Sequence, residues 1–180
     1  MYVNVQRIVY DPVSWIHPQR FSVPEQLASV RCRSILNDII LSEYKLSTGE
    51  LDLGNSKECY LANHWWLLSR AAFMAMCQRY RSSLAWYGNL SKLDNITRQF
   101  ALSDITGSND EFSGRFTFDQ LWGAAFRELL TFCDPVSKVM KERIPLLFPR
   151  ACQDNLPSFF PSDDNELLIR MAIQHASRNQ

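Results

Sequence analysis

The stretch SRAAFMAMCQRYRSSLAWYG, Ser69 to Gly88, constrains the fold more than any other part of the chain. Phe73, Met76, Cys77, Tyr80, Leu84 and Tyr87 recur at three- and four-residue steps. That spacing places them on one face of an α-helix, where successive residues are ~100° apart. Ser69 is a candidate N-cap, because its hydroxyl can accept from an orphaned amide of the first turn. Gly88 stands where a helix-ending left-handed residue belongs.

The same period recurs along the chain. Cys32, Ile35, Leu36, Ile39 and Ile40 form one stripe, with Arg31, Arg33, Asn37, Asp38 and Ser42 assigned to the other side. The two glycines of STGELDLGNSK end that helix in a loop. A shorter helix is expected over Cys59 to Leu68, and another across LSKLDNITRQFAL. A capping box, Thr117 with Gln120, opens a helix carrying Phe118, Leu121, Trp122, Ala125, Leu129 and Phe132. Asp134-Pro135 repeats the grammar of Asp11-Pro12, an N-cap followed by proline at the first helical position. The prolines of IPLLFP break the helix that follows. A last helix is expected from a capping box of Asp163 and Glu166, with Leu167, Leu168, Met171, Ala172 and His175 on its apolar face. SDITGSNDEFSGR reads as a polar loop near residues 103–115. Neither strand alternation nor an internal repeat is visible. The expected class is all-α: residues 1–180 as a single-domain bundle of about six to eight helices.

Composition narrows the function. Across 180 residues, 46% are apolar and 21% charged, the formal net charge is zero and the pI is near 6.8. A general nucleic-acid binder carries a basic excess to neutralise phosphates, and this chain has none. The balance also argues against an electrostatically held membrane protein. The opening MYVNVQRIVYD has no basic segment followed by an apolar run of signal-peptide length. The apolar patches WWLL and AAFMAMC fall short of the ~20 residues that span a bilayer. Five cysteines, an odd number, fit a reducing compartment. The expectation is a soluble cytoplasmic protein without membrane insertion.

No catalytic constellation emerges. His17, His64 and His175 are far apart in sequence, no cysteines have C-x-x-C spacing, and the nucleotide-binding and hydrolase signatures are absent. Cys32 and Cys77 lie on apolar stripes and read as packing. No enzyme activity, cofactor or metal is expected. From Cys59 to Leu93 there is no acidic residue, while Arg70, Arg79, Arg81 and Lys92 are interleaved with Trp65, Trp66, Tyr80, Trp86 and Tyr87. Four charges make a thin field for nucleic acid. Arg70, Arg79 and Arg81 read instead as a solvated face or as a surface for an acidic protein partner. Five tryptophans exceed what one small helical core needs. Tryptophan and arginine anchor interfaces, at ~2 kcal/mol or more each when buried there. Trp65 and Trp122 are assigned to the interior. Because Trp65 and Trp66 are adjacent, one of them should be partly exposed or lie under a neighbouring segment.

YDPVSWIHPQRF is a stiff segment. Asp11 and Pro12 start a short helical turn carrying Val13, Trp15 and Ile16, and Pro18 pushes His17 toward an extended backbone. Arg20 then enters FSVPEQL. Such a segment suits either locking the N-terminus onto the bundle or presenting an anchor, and residue types alone do not choose.

QRIVYDPVSWIHPQRF resembles the N-terminal signature of the OrgA/MxiK family, the SctK proteins of the type III secretion sorting platform, and in particular its OrgA-like members. NDIILSEYKL, the helix ending RSSLAWYG, IPLLFP and LLIRMAIQHA are similar to the family in the same order. The resemblance implies a non-enzymatic cytoplasmic adaptor at the base of the injectisome, peripheral to the inner membrane. Its implied partners are the cytoplasmic domain of the SctD-type inner-membrane ring protein, the SctQ (SpaO-like) pod protein, the SctL (OrgB-like) stator and, through it, the secretion ATPase. Tyr10, Trp15, His17 and Arg20, with Leu146 and Phe148 of IPLLFP, are then candidate interface residues. The alternative for them is that the two stretches dock on each other. The rival functions are a helical DNA- or RNA-binding regulator and a type III secretion chaperone.

Overall fold

Ten α-helices run through the residues described by the computed structural model, 2–105, 117–154 and 165–179, and no strand occurs among them. In chain order they are α1 (Tyr2–Tyr10), α2 (Val30–Glu43), α3 (Ser56–Asn63), α4 (Leu68–Arg79), α5 (Arg81–Trp86) and α6 (Asn95–Ala101). After these come α7 (Phe118–Phe132), α8 (Lys138–Arg143), α9 (Ala151–Asp154) and α10 (Glu166–Arg178). The class is all-α. Several helices end without proline or glycine, at positions the period alone does not mark. Most of the polar loop expected near 103–115 lies outside the described residues. The chain groups into two compact units, one made of the first 66 residues with 133–150, the other of 67–132 with 151–180.

In the first unit α1 was not anticipated, although Val5, Ile8 and Val9 follow helical spacing, and Ile8 and Val9 are buried. Helix α2 begins where Ser29 Oγ accepts from the Cys32 amide, 3.3 Å. Its buried face is Leu36, Asn37 and Ile40, so the expected stripe is rotated: Ile35 and Ile39 point outward and Asn37 points inward. Asn37 faces inward because Asp11 requires it. Its Nδ2 donates to Asp11 Oδ1 at 2.9 Å, and its Oδ1 accepts from the Val13 amide at 2.9 Å. Asn55 caps α3 through bonds from the Lys57 and Glu58 amides. Fully buried Glu58 accepts from the Asp52 amide (2.9 Å), the Ser137 amide (2.7 Å) and Ser137 Oγ (2.6 Å). That carboxylate thereby joins the loop before α3 to the start of α8. Asp134-Pro135 does not cap a helix as expected. The peptide bond there is cis, and α8 starts later, with Ser137 Oγ accepting from the Met140 amide.

In the second unit α4 is buried all round from Ala71 to Arg79 and packs against α6, α7 and α10. At ~2 kcal/mol for each large apolar side chain removed from water, Phe73, Met74 and Met76 make it the organising element of its unit. The helix expected to run unbroken to Gly88 divides at Tyr80, which closes α4 and opens α5 with non-helical angles (φ −106°, ψ 24°). Ser69 lies inside α4 and is not its cap. Gly88 does end α5, with φ 69° in the left-handed region that glycine adopts without strain. Helix α7 opens with the expected reciprocal box: the Gln120 amide donates to Thr117 Oγ1 (3.2 Å) and the Thr117 amide to Gln120 Oε1 (3.0 Å). Trp122, half-buried rather than interior, stacks on Phe73 with ring centroids 4.2 Å apart. Helix α10 is capped by Asn165, whose Oδ1 accepts from the Leu168 amide at 2.9 Å. The proposed partner Asp163 lies outside the described residues. The buried face of α10 is Leu168, Ile169, Ala172, Ile173 and Ala176, which leaves Leu167 outside, 62% exposed.

Candidate functional site

The N-terminal motif is organised around Asp11. Arg33 meets its carboxylate with two bonds, Nε to Oδ1 at 3.1 Å and Nη2 to Oδ2 at 2.9 Å, beside the bond from Asn37. Arg7 approaches Oδ2 at 4.0 Å. Burial works to raise this carboxyl, but the hydrogen bonds from Arg33 and Asn37 and the charges of Arg33 and Arg7 outweigh it, and it titrates below the ordinary aspartate value. Trp15 is buried edge-on against Trp65, centroids 5.5 Å apart, and its Nε1 donates to the Arg7 carbonyl at 3.2 Å. Trp66 is half-buried, as the adjacency of the two tryptophans requires. The Arg7 guanidinium lies 4.9 Å from its ring centroid, and its Nε1 donates to the Ser14 carbonyl.

The motif then engages the 143–148 stretch by backbone bonds in both directions. The His17 amide donates to the Leu146 carbonyl, 2.9 Å. Arg20 donates through Nε to the Phe148 carbonyl and through Nη2 to the Pro145 carbonyl at 3.0 Å. In return, fully buried Arg143 donates to the carbonyls of Ile8 (3.1 Å), Val9 (2.9 Å), Ser47 (2.9 Å) and Val139 (2.9 Å). The Ile8 and Val9 carbonyls belong to the last turn of α1, where a helix has orphaned acceptors and a negative dipole end. Burial lowers the Arg143 pKa, while Glu142 and Tyr10 work to raise it.

Leu146 and Phe148 are buried, so of the N-terminal candidates only Tyr10 is widely exposed, at 53%, its hydroxyl donating to the Thr48 carbonyl. His17 is half-buried. Desolvation and the nearby Arg20 charge lower its pKa, and its Nδ1 accepts from the Gln19 amide at 3.2 Å. Sequence reasoning missed Arg143, for which the signal was a single arginine next to the apolar IPLLFP. It also placed Asn37 and Arg33 away from the site they complete.

Arg70, Arg79 and Arg81 do not form a common basic face. Arg79 is buried and faces the buried Glu128, 3.3 Å away. Arg70 pairs with Asp94 at 3.3 Å, and Arg81 donates to the Ser103 carbonyl at 2.7 Å and lies 3.6 Å from Asp104. Each cation meets an acceptor on its own unit.

Several large apolar side chains nevertheless face water. The first unit exposes Val23, Leu27, Val30, Ile35 and Ile39, and no residue from Ser22 to Arg31 is buried. The second exposes Trp86 (85%) at the end of α5, with Tyr87, Leu102 and Leu167. Among the described residues no helix is long and apolar enough to cross a membrane, and no three His, Cys, Asp or Glu side chains are grouped to hold a metal ion. Buried Cys133 has its thiol pushed up to about 12 by desolvation, which keeps it protonated and unreactive at neutral pH.

The model of a family described as bacterial type III secretion apparatus protein (OrgA_MxiK) matches residues 5–178. The oxygen-regulated invasion protein OrgA of Salmonella typhimurium, in strains 14028s, SL1344 and LT2, is 28% identical to the chain over 180 residues. That match covers 96% of this chain and 86% of OrgA. No solved structure matches the chain.

Proposed function

Because the chain belongs to the OrgA/MxiK family of bacterial type III secretion apparatus proteins, we propose that it is a non-enzymatic adaptor of the sorting platform. It works at the cytoplasmic face of the inner membrane. There it joins the SctD-type ring protein to the SctQ-type pod and, through the SctL-type stator, to the secretion ATPase.

The observation that carries this reading is the division of labour among large side chains. Trp15, Trp65, Leu146 and Phe148 are spent on the interior, whereas Trp86 is held out at 85% exposure at the end of a helix closed by Gly88. An exposed tryptophan on an ordered helix end loses little conformational entropy on docking and supplies a large anchor. The apparatus membership of the family supplies the kind of partner: other proteins of the secretion machine. The backbone-directed Arg20 and Arg143 brace the first unit and the buried Arg79–Glu128 pair the second, and a spacer between two assemblies requires such bracing.

Co-purification from cells expressing no secreted substrate tests the proposal. The adaptor recovers SctQ- and SctL-type proteins, and Trp86→Ala reduces that recovery while circular dichroism is unchanged. Recovery of an exported effector alone would favour a chaperone. Retention on duplex DNA at physiological salt with a steep salt slope would favour a nucleic-acid regulator.

A further inference from the structure

Helix α2 carries an outward ridge whose chemistry is complementary to itself. Arg31, Ile35, Ile39 and Glu43 follow one another at four-residue steps, the row by which helices interlock ridge into groove. Ile35 and Ile39 are 54% and 53% exposed, and Arg31 and Glu43 are exposed at the two ends. The row carries opposite charges at equal distances from its midpoint. Laid antiparallel on a second α2, Ile35 meets Ile39 of the other copy, and Arg31 meets the other Glu43, twice over.

The end charges also oppose the helix's own dipole. Arg31 stands in the first turn and Glu43 in the last, with no acidic residue in the first turn and no basic one in the last. Each is disfavoured there by a few tenths of a kcal/mol. Neither forms an ion pair with a described residue. An antiparallel second copy reverses both penalties, because Arg31 then lies against the other helix's C-terminal end and Glu43 against its N-terminal end.

We propose that α2 is a two-fold self-association surface, pairing two copies of this chain through Ile35 and Ile39 with flanking Arg31–Glu43 contacts. The interface is isologous and small, one helix deep, so the association is weak and reversible. The ridge belongs to the first unit and Trp86 to the second, and each is tested by its own variants, so its failure and the failure of the adaptor reading are distinguishable.

The test uses the full chain in sedimentation equilibrium up to millimolar concentration. The expected result is a monomer–dimer equilibrium that Ile35→Asp abolishes without altering the circular dichroism spectrum. Arg31→Glu and Glu43→Arg should each weaken it about tenfold, the scale of a close charge pair, and the two together should restore it. A monomer at every concentration or unchanged association in the charge variants would overturn the proposal. So would finding the ridge covered in the assembled apparatus by a different protein.

Discussion

Arg20 and Arg143 each grip the backbone of the segment that carries the other. Arg20 donates to the carbonyls of Pro145 and Phe148, just beyond Arg143, while Arg143 donates to the carbonyls of Ile8 and Val9, at the end of the helix that leads to Arg20. A guanidinium suits this use, since its fixed fork of five donors reaches several carbonyls at once without a counter-carboxylate. The stiff, arginine-bounded N-terminal stretch is therefore held by the 143–148 stretch, and holds it.

Arg143→Met should be among the most damaging single changes in the chain. It removes the side-chain donor from the buried carbonyls of Ile8, Val9 and Val139 and from the part-buried carbonyl of Ser47, at ~1 kcal/mol for each. The expected loss of ~3 kcal/mol or more would be read as a shifted urea midpoint. Arg143→Lys should recover only part of it, because one ammonium cannot reproduce the fork.

Asp11 makes the first unit acid-sensitive. Its folded-state pKa lies below the ordinary 3.8, so the native state binds fewer protons there than the unfolded state does. Its contribution to stability is complete above the unfolded value and disappears as pH falls through the folded one. Thermal melts of Asp11→Asn should be less stable than wild type at neutral pH, with the difference shrinking at pH values below that of the unfolded carboxyl.

His17 acts at milder pH with the same sign. Its pKa is lowered from 6.5, so the neutral ring is favoured in the fold and its Nδ1 remains free to accept from the Gln19 amide. Stability from this group is present above pH 6.5 and falls as the pH drops through the depressed value. His17→Gln should flatten that part of the melting-temperature profile.

The pair Arg79 and Glu128 should show strong non-additivity. Arg79→Met alone leaves a buried carboxylate without its cation, an expected loss of ~3 kcal/mol or more, whereas adding Glu128→Leu should recover much of it. A double-mutant cycle by chemical denaturation measures the coupling.

Trp86→Ala should leave the melting temperature nearly unchanged, since the side chain is 85% exposed. Its effect should appear in partner recovery and in effector secretion, at ~2 kcal/mol or more of binding if Trp86 is an anchor.

Helical period, capping chemistry and composition were enough to establish the class. The Thr117–Gln120 box, Gly88 as the end of α5 and the interior place of Trp65 all follow from local rules that no distant residue overrides. The resemblance of the N-terminal stretch likewise led to the family. Local rules failed where two faces of a helix were both apolar enough to be buried. In α2 the choice fell to Asn37, because Asp11 needed a buried donor, and Ile35 and Ile39 were turned out as a result. In α10 the face rotated by about one residue, leaving Leu167 in water.

The sequence by itself determined that this chain folds as helices and which family it joins, because period and motif are properties of neighbours along the chain. Tertiary structure alone decided that Trp15, Leu146, Phe148 and Arg79 face inward and that Trp86, Ile35 and Ile39 face outward. Those outcomes depend on which carbonyls and carboxylates must be satisfied across long separations. A partly buried carboxylate such as Asp11 left without its donors costs more than an isoleucine left half in water.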